Sequence, residues 1–153
     1  MKKYFIYFSE TGNGDLIASK LEEQGYIIKK VEMKKALAKS FFFKVMQGGF
    51  LASVHAKSKI KDLELDINLD DEVIIGSPIW NKRLSSPINT VLNKYEFINP
   101  SFILYSGSGT ATKALKYIEK NFHGSKAIIL KEPKKYEEEL DKLKALENEN
   151  GQN

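Results

Sequence analysis

Short apolar runs alternate with segments of helical spacing along almost the whole chain, and this alternation restricts the fold more than any other feature. Most of the runs are continuously apolar, which is typical of parallel strands covered on both faces. Between them, apolar residues recur at the spacing of one helix face. Five strand–helix units predict a doubly wound α/β sheet with right-handed crossovers and helices on both faces. The predicted strands are residues 4–8, 26–31, 72–76, 101–106 and 126–131.

Four segments carry the apolar spacing of amphipathic helices. The second has a start signal, with Ser86 as the expected N-cap and Pro87 at the first helical position. Gly124 is expected to end the third helix, and the last helix is rich in charged residues. The apolar faces consist of Ile17, Ala18 and Leu21; Ile88, Val91, Leu92 and Tyr95; Ala111, Leu115, Ile118 and Phe122; and Tyr136, Leu140 and Leu143.

Length and composition indicate one globular domain. The 153 residues are 42% apolar and 29% charged, and a chain of this size buries enough surface for a core of its own. Residues 1–147 are expected to form a single domain, with a disordered tail at 148–153. The absence of cysteine excludes disulfides, thiolate metal sites and cysteine nucleophiles. Because the N-terminal apolar stretch is too short for a signal peptide, we expect a cytoplasmic protein.

The charge balance is basic, with a formal net charge of +4, and Arg83 is the only arginine. Arginine guanidinium groups are the side chains that best recognise guanine and pairs of phosphates. Because the chain has only one of them, sequence-specific nucleic-acid binding is not expected. Residues 33–61 hold seven lysines and no acid, and they could form a basic amphipathic helix that binds an anionic membrane surface. A helix that covers the sheet is the simpler interpretation. Its apolar face would consist of Phe42, Val45, Met46, Gly49, Phe50 and Val54.

Residues 63–69 alternate strictly between apolar and polar side chains. This period of two fits either an additional edge strand or an extended connector. Asp70 and Asp71 follow directly, as in a solvated turn, so we favour the connector.

Three segments that follow predicted strands have compositions suited to ligand binding. Residues 9–15 offer hydroxyls, two glycines and successive backbone N–H groups before a helix, which together form an anion cradle. Residues 76–84 hold Trp80, the only tryptophan, in a predicted loop where its flat ring could stack on a ligand. Residues 106–110 lack bulky side chains, so a flat ligand could approach the backbone. The candidate binding residues are Ser9, Glu10, Thr11, Gly12, Asn13 and Gly14; Ser77, Pro78, Ile79, Trp80, Asn81 and Lys82; and Ser106, Gly107, Ser108 and Gly109.

These three segments follow the first, third and fourth predicted strands. In a sheet of order 2-1-3-4-5 those strands are neighbours, and the order reverses between the first and the third. Open α/β sheets bind ligands beyond the carboxyl ends of their strands at such a reversal. We therefore expect the three segments to meet at one crevice.

The same segments resemble the motifs of flavodoxins, to which the chain is similar over nearly its whole length. Residues 9–13 read Ser-Glu-Thr-Gly-Asn and match the phosphate loop of that family, Ser/Thr-x-Thr-Gly-x-Thr, up to its last position. Residues 76–80 are similar to the second flavin loop, whose aromatic residue stacks on the ring, and residues 106–109 are similar to the third. The resemblance implies non-covalent FMN with its phosphate on residues 9–14, and no structural metal. It also implies an electron carrier for redox partner proteins, expected here as a monomer, without catalytic side chains because the cofactor does the chemistry.

Three features depart from the family pattern. Gly14 stands where the motif has its last threonine, which predicts weaker phosphate binding that a threonine would restore. Lys82 follows Asn81 where many relatives have glycine, so it is expected to resist the backbone rotation that flavodoxins undergo beside the ring. The chain is basic, whereas the carriers of the family are usually acidic, which argues against their usual positively charged partners.

Two other functions stay open: an FMN-dependent NAD(P)H:quinone-type oxidoreductase, and a flavin-free binding module that uses the basic segment 33–61. A dinucleotide-binding fold is disfavoured, because Thr112 replaces the last small residue of a glycine fingerprint at 107–112 and only one strand follows. A receiver domain needs an acid after the third strand, and a nucleoside triphosphatase needs a phosphate-binding lysine motif; the sequence has neither. His55 and His123 lack a serine or carboxylate at recognisable spacing, which argues against a serine triad.

Overall fold

The fold is known from a computed structural model, which describes residues 1–34 and 59–147. Strands and helices alternate through this part of the chain, as the sequence predicts. The strands are β1 (Lys3–Tyr7), β2 (Ile27–Lys30), β3 (Glu72–Trp80), β4 (Arg83–Leu84), β5 (Ser101–Ser106) and β6 (Ala127–Lys131). The helices are α1 (Asn13–Glu23), α2 (Ser86–Lys94), α3 (Thr112–Asn121), a 3₁₀ helix (Glu137–Leu143) and α4 (Lys144–Glu147).

Five of the described strands form a parallel sheet in the order β2-β1-β3-β5-β6. Because β4 only pairs with β3 at its end, this is the predicted order 2-1-3-4-5, and the prediction is confirmed. The order reverses between β1 and β3, which pair in register from Lys3 with Glu72 to Tyr7 with Gly76. The carboxyl ends of β1, β3 and β5 therefore lie side by side.

Two apolar clusters cover the two faces of the sheet, and alternate residues of each strand point into different clusters. In β1, Tyr4 and Ile6 face the cluster covered by α2 and α3, whereas Phe5 and Tyr7 face the cluster covered by α1 and the C-terminal helices. Both faces are therefore buried, which explains why the strands are continuously apolar. The predicted arrangement of helices on both faces is confirmed.

The third strand is longer than predicted. It continues past Gly76 to Trp80 and turns back as β4, so residues 77–80 are strand rather than loop. Pro78 is tolerated within it because β1 ends its pairing at Gly76, so no neighbour on that side needs a proline N–H. Two residues, Asn81 and Lys82, connect the strands with φ values of 49° and 64°. Positive φ at both central residues is the requirement of a type I′ hairpin.

The helices also differ from the predictions in detail. α2 begins at Ser86 rather than after it, so its N-cap is Ser85 and Pro87 lies within the first turn. Of the predicted face of α3, Ala111 and Ile118 are buried and Phe122 packs against the same core cluster, whereas Leu115 is 36% exposed and Ala114 is buried in addition. The last charged segment folds as a 3₁₀ helix before its short α-helical end.

Residues 63–69 form a connector rather than a strand, as predicted. Leu63, Leu65 and Ile67 are half-buried against the core, whereas the polar residues of the segment and Leu69 are exposed. The Tyr4 hydroxyl donates to the Asp66 carbonyl at 2.9 Å, and the Leu63 N–H donates to the Tyr95 hydroxyl at 3.1 Å. The proposed basic helix, apart from the ends of segment 33–61, and the tail at 148–153 lie outside the described residues. Within the described part, no helix has the length and apolarity needed to cross a membrane.

Candidate cofactor site at the carboxyl edge of the sheet

A cavity of about 270 Å³ lies at the carboxyl edge of the sheet, where the strand order reverses. All three predicted segments contribute to it, and so does a fourth segment that follows β6. The lining residues are Glu10, Thr11 and Asn13; Pro78 and Ile79; Tyr105, Ser106 and Gly107; and Glu132, Lys134 and Lys135.

The first segment forms a tight turn into α1. Gly12 is the N-cap of the helix with φ of 92°, a left-handed conformation that favours glycine. The Gly14 N–H donates to the Ser9 hydroxyl at 3.0 Å, so Ser9 serves the turn and does not line the cavity. Among the described residues, none accepts a hydrogen bond from the backbone N–H groups of Thr11, Gly12 or Asn13. These three donors are available at the positive end of the helix dipole.

Gly14 is buried beneath this turn, in a space too small for any side chain. A Cβ atom at this position would lie 2.6 Å from the Tyr105 hydroxyl and 2.8 Å from both Ser9 Cβ and Tyr7 Cδ2. The Tyr105 hydroxyl itself is held by the Phe8 carbonyl, to which it donates a hydrogen bond. The expectation that a threonine at position 14 would improve the phosphate loop is therefore wrong, because Tyr105 occupies that space.

The Asp15 carboxylate in the first turn of α1 has partners away from the cavity. It accepts a hydrogen bond from the Tyr7 hydroxyl at 2.7 Å and pairs with the Lys30 ammonium at 2.9 Å. Partial burial disfavours its charge, but the bonds from Lys30 and Tyr7 outweigh burial and hold the pKa of Asp15 below its ordinary value of 3.8. Burial and the bond to Asp15 raise the pKa of Tyr7.

This lowered pKa predicts an acid-dependent contribution of Asp15 to stability. A depressed carboxyl pKa in the folded state stabilises the fold above the ordinary value, and the contribution is lost as the pH falls below about 4. Urea unfolding at a series of pH values should show that wild type loses more stability between neutral and acid pH than Asp15→Asn. Equal losses in the two proteins would contradict the assignment.

Lys134 lies against the first segment, although it follows the last strand of the sheet. Its backbone N–H donates to Asn13 Oδ1 at 3.0 Å, and its ammonium donates to the Thr11 carbonyl at 3.4 Å. The ammonium also lies 3.3 Å from the position that a Cβ of Gly12 would take. The cation therefore stands directly beside the three available N–H groups.

Sequence reasoning did not select the segment after β6. The chain turns sharply because Glu132 adopts φ of 38°, and its N–H donates to the Ser106 carbonyl at 3.2 Å. This segment could have been predicted from its position directly after the fifth predicted strand. Ligands bind beyond the carboxyl ends of parallel strands, and this applies to the fifth strand as well.

The end of β3 contributes to the cavity through Pro78 and Ile79. Ser77 does not contribute, because it is fully buried and its hydroxyl bonds to Ser85, accepting from its N–H at 3.0 Å. Trp80 does not line the cavity either. Its side chain is 0% exposed and packs edge-to-face on Phe8 with ring centroids 5.8 Å apart. The expectation that Trp80 stands in a loop as a stacking platform is wrong, because hairpin pairing draws it into the core.

Asn81 and Lys82 form the turn of the hairpin and do not line the cavity. Lys82 already adopts positive φ, so its Cβ does not exclude this conformation, and its resistance to the backbone rotation stays a prediction. The Lys82 carbonyl accepts a hydrogen bond from the Ala114 N–H at 2.8 Å, in the first turn of α3. This bond ties the hairpin turn to α3.

The third segment presents Ser106 and Gly107 to the cavity. Its hydroxyls bond mainly to one another, with 3.1 Å between the Ser106 and Ser108 oxygens and 2.8 Å between those of Ser108 and Thr110. Gly107 leaves the wall open, since the nearest atom to a Cβ there would be a Glu132 carboxylate oxygen at 3.9 Å. Ser108 and Gly109 shape the segment but do not line the cavity. Across the described residues, no three acidic or histidine side chains are grouped closely enough to hold a metal ion.

No protein-family model matches the sequence, and no curated protein matches it significantly. Comparison with solved structures does find similar folds. A flavoprotein from Lactobacillus acidophilus NCFM, crystallised in complex with FMN, has a TM-score of 0.59 and 17% identity over 90% of this chain and 97% of that one.

Two candidate flavoproteins from Bacteroides are similar as well. The protein from Bacteroides eggerthii DSM 20697 has a TM-score of 0.67 and 20% identity over 92% of this chain and 96% of that one. The protein from Bacteroides uniformis ATCC 8492 has a TM-score of 0.65 and 22% identity over 85% and 90% of the two chains. At these low sequence identities, the structural similarity establishes the fold of this chain and nothing further. The chain therefore has the flavodoxin-like α/β fold that these proteins share.

Proposed function

We propose that this chain binds FMN non-covalently in the cavity at the carboxyl edge and acts as an electron-transfer protein. The observation that carries the proposal is one cavity that combines an anion-binding end with an apolar wall, at the reversal of strand order. The crystallised complex of the Lactobacillus flavoprotein with FMN supports the choice of cofactor.

The anion-binding end suits the phosphate of FMN. The N–H groups of Thr11, Gly12 and Asn13 have no other acceptor among the described residues, and a phosphate monoester supplies several. The Lys134 ammonium beside them would balance the phosphate charge. The Asp15 carboxylate is occupied by Tyr7 and Lys30, so its charge is compensated before an anion arrives.

The remaining walls suit a flat ring. Pro78 and Ile79 offer apolar contact at the end of β3, and Gly107 lets a ring approach the backbone of the third segment. These residues would hold the isoalloxazine and exclude water from it. When bound, FMN supplies the capacity to accept and release electrons.

An electron carrier needs only the flavin and a surface through which electrons leave, whereas an NAD(P)H:quinone-type oxidoreductase also needs a site for a second substrate. Electrons would then leave through the exposed edge of the cofactor to redox partner proteins.

The proposal is tested by titrating the purified protein with FMN and with riboflavin, which lacks the phosphate, in wild type, Lys134→Gln and Lys135→Gln. Wild type should bind FMN more tightly than riboflavin. Lys134→Gln should weaken FMN binding by about 1 kcal/mol, or about fivefold, and leave riboflavin binding unchanged, because a partly exposed charge-assisted contact is lost. Lys135→Gln removes the neighbouring cation of the same cavity, whose ammonium lies over the Tyr136 ring at 5.4 Å, and so tests whether the position of the charge matters.

Calorimetry that detects no FMN binding to wild type would overturn the proposed function. Equal effects of the two lysine variants would leave FMN binding intact but remove the role of Lys134. Rapid oxidation of NAD(P)H by the FMN-loaded protein, without an added protein, would favour the oxidoreductase.

A further inference from the structure

A groove of about 450 Å³ lies along α3 beside the hairpin, separate from the cofactor cavity. Four of its six lining residues are cations, and none of the six is acidic. We call the four cations the basic face. The groove is lined by Arg83, Lys113, Lys116, Tyr117, Lys120 and Asn121.

The three lysines of the basic face are spaced three and four residues apart, so they lie along one face of α3. All three are exposed, and no carboxylate of the described chain forms an ion pair with any of them. Some surface lysines elsewhere in the described chain do have acidic partners, as in the pairs of Lys61 with Glu32 and Lys94 with Asp62. The three lysines of the basic face therefore present positive charge that no ion pair within the described residues compensates.

The basic face and the cofactor cavity are joined by the hairpin. Arg83 pairs with Trp80 across it, and the strand before the turn supplies Pro78 and Ile79 to the cavity. The bond from the Ala114 N–H to the Lys82 carbonyl fixes the first turn of α3, which contains Lys113, against the same hairpin. The positive charge therefore begins at the edge of the sheet that holds the cavity.

We propose that the basic face is the docking surface for an acidic redox partner protein. This inference rests on the proposed function, because an electron carrier needs a partner surface close to its cofactor. Opposite charges on two proteins accelerate their encounter and orient it without requiring a large apolar contact. A nucleic acid is the less fitting anion, because the basic face contains one guanidinium, the group that best recognises phosphate pairs and guanine.

The first test measures how quickly the reduced, FMN-loaded protein gives electrons to small charged oxidants. Each ferricyanide anion accepts one electron from the reduced flavin, and each hexaammineruthenium(III) cation does the same. Replacing Lys113, Lys116 and Lys120 together by glutamine should slow ferricyanide reduction about threefold or more at low ionic strength and accelerate reduction of the cation. Both effects should diminish at high salt.

The control for this test is a triple glutamine variant at Lys20, Lys29 and Lys144, which changes the net charge equally in α1, β2 and α4. It should alter the two rates by less than half as much as the basic-face variant. Equal effects of the two triple variants would show that only net charge matters, and would overturn the proposal.

The second test does not depend on flavin. Calorimetric titration with poly-L-glutamate and with oligothymidylate compares an acidic polypeptide with a nucleic acid, in wild type and both triple variants. Poly-L-glutamate binding should weaken in the basic-face variant and hardly change in the control. Tighter binding of oligothymidylate through the same lysines, or no polyglutamate binding by wild type, would overturn the proposal. If FMN does not bind at all, the proposed function fails, and this titration still decides whether the face binds acidic polypeptides.

Discussion

Replacement of Trp80 by alanine is expected to lower the free energy of unfolding by about 3–5 kcal/mol, the range for truncating a large buried aromatic side chain. Trp80 is the largest fully buried side chain described, and its ring packs edge-to-face on Phe8. Alanine would leave a cavity between the hairpin and the core cluster that also contains Leu84 and Ile88. Since the hairpin carries Pro78 and Ile79, FMN affinity should fall as a consequence of lost structure.

Urea unfolding of Trp80→Ala, Trp80→Phe and Leu69→Ala checks this expectation. Phenylalanine should retain most of the stability, because it keeps an aromatic ring in the core. Leu69 is 84% exposed, so its truncation should change stability by less than about 0.5 kcal/mol. A Trp80→Ala protein with the stability of wild type but without FMN binding would show that Trp80 contacts the ligand, and would contradict its placement in the core.

Replacement of Gly14 by alanine is expected to lower the free energy of unfolding by about 1–3 kcal/mol, because even a methyl group overfills this site. Its Cβ would meet the Tyr105 hydroxyl at 2.6 Å, and that hydroxyl is held by the Phe8 carbonyl. Threonine at this position should destabilise the fold at least as much as alanine and weaken FMN binding. A phosphate-loop threonine would therefore not improve this protein.

Gly107→Ala is the contrasting variant for thermal and urea unfolding. A Cβ at Gly107 has no neighbour closer than 3.9 Å, so the stability should stay within about 1 kcal/mol of wild type. Because Gly107 lines the cavity, the same change should weaken FMN binding measured by calorimetry. Gly14→Ala thus tests the packing beneath the phosphate loop, whereas Gly107→Ala tests the space available to the ligand. Unchanged stability in Gly14→Ala would contradict the tight packing under α1.

Periodicity was enough to predict the alternating strands and helices of the sheet. The apolar runs identified five parallel strands, and the spacing of residues such as Ile17 and Leu21 identified the helix faces that bury them. These patterns can be recognised in the sequence because the spacing of buried residues within a helix or strand follows from the backbone geometry of that element. The position of ligand-binding segments also follows, since the carboxyl ends of parallel strands must lie at one edge.

The details of the candidate site depended on contacts between residues far apart in the chain. Ile79 pairs with Leu84, so the predicted loop is a hairpin. The hairpin could not be recognised from the sequence, because Lys82 stands at the second turn position, where glycine is usual. A side chain at position 14 would collide with Tyr105, which lies ninety-one positions later in the chain and whose hydroxyl fills the space beside Gly14.

The burial pattern of the chain predicts which segments form strands and where the binding segments gather. The burial of Trp80, the lack of space at Gly14 and the position of Lys134 beside the phosphate loop follow instead from contacts between distant residues. The physical reason is that burial patterns repeat within an element, whereas the space and charge around one side chain are set by neighbours from other elements. The hydrogen bonds of Lys134 with Asn13 and Thr11 join residues more than a hundred positions apart, so no local sequence pattern predicts them.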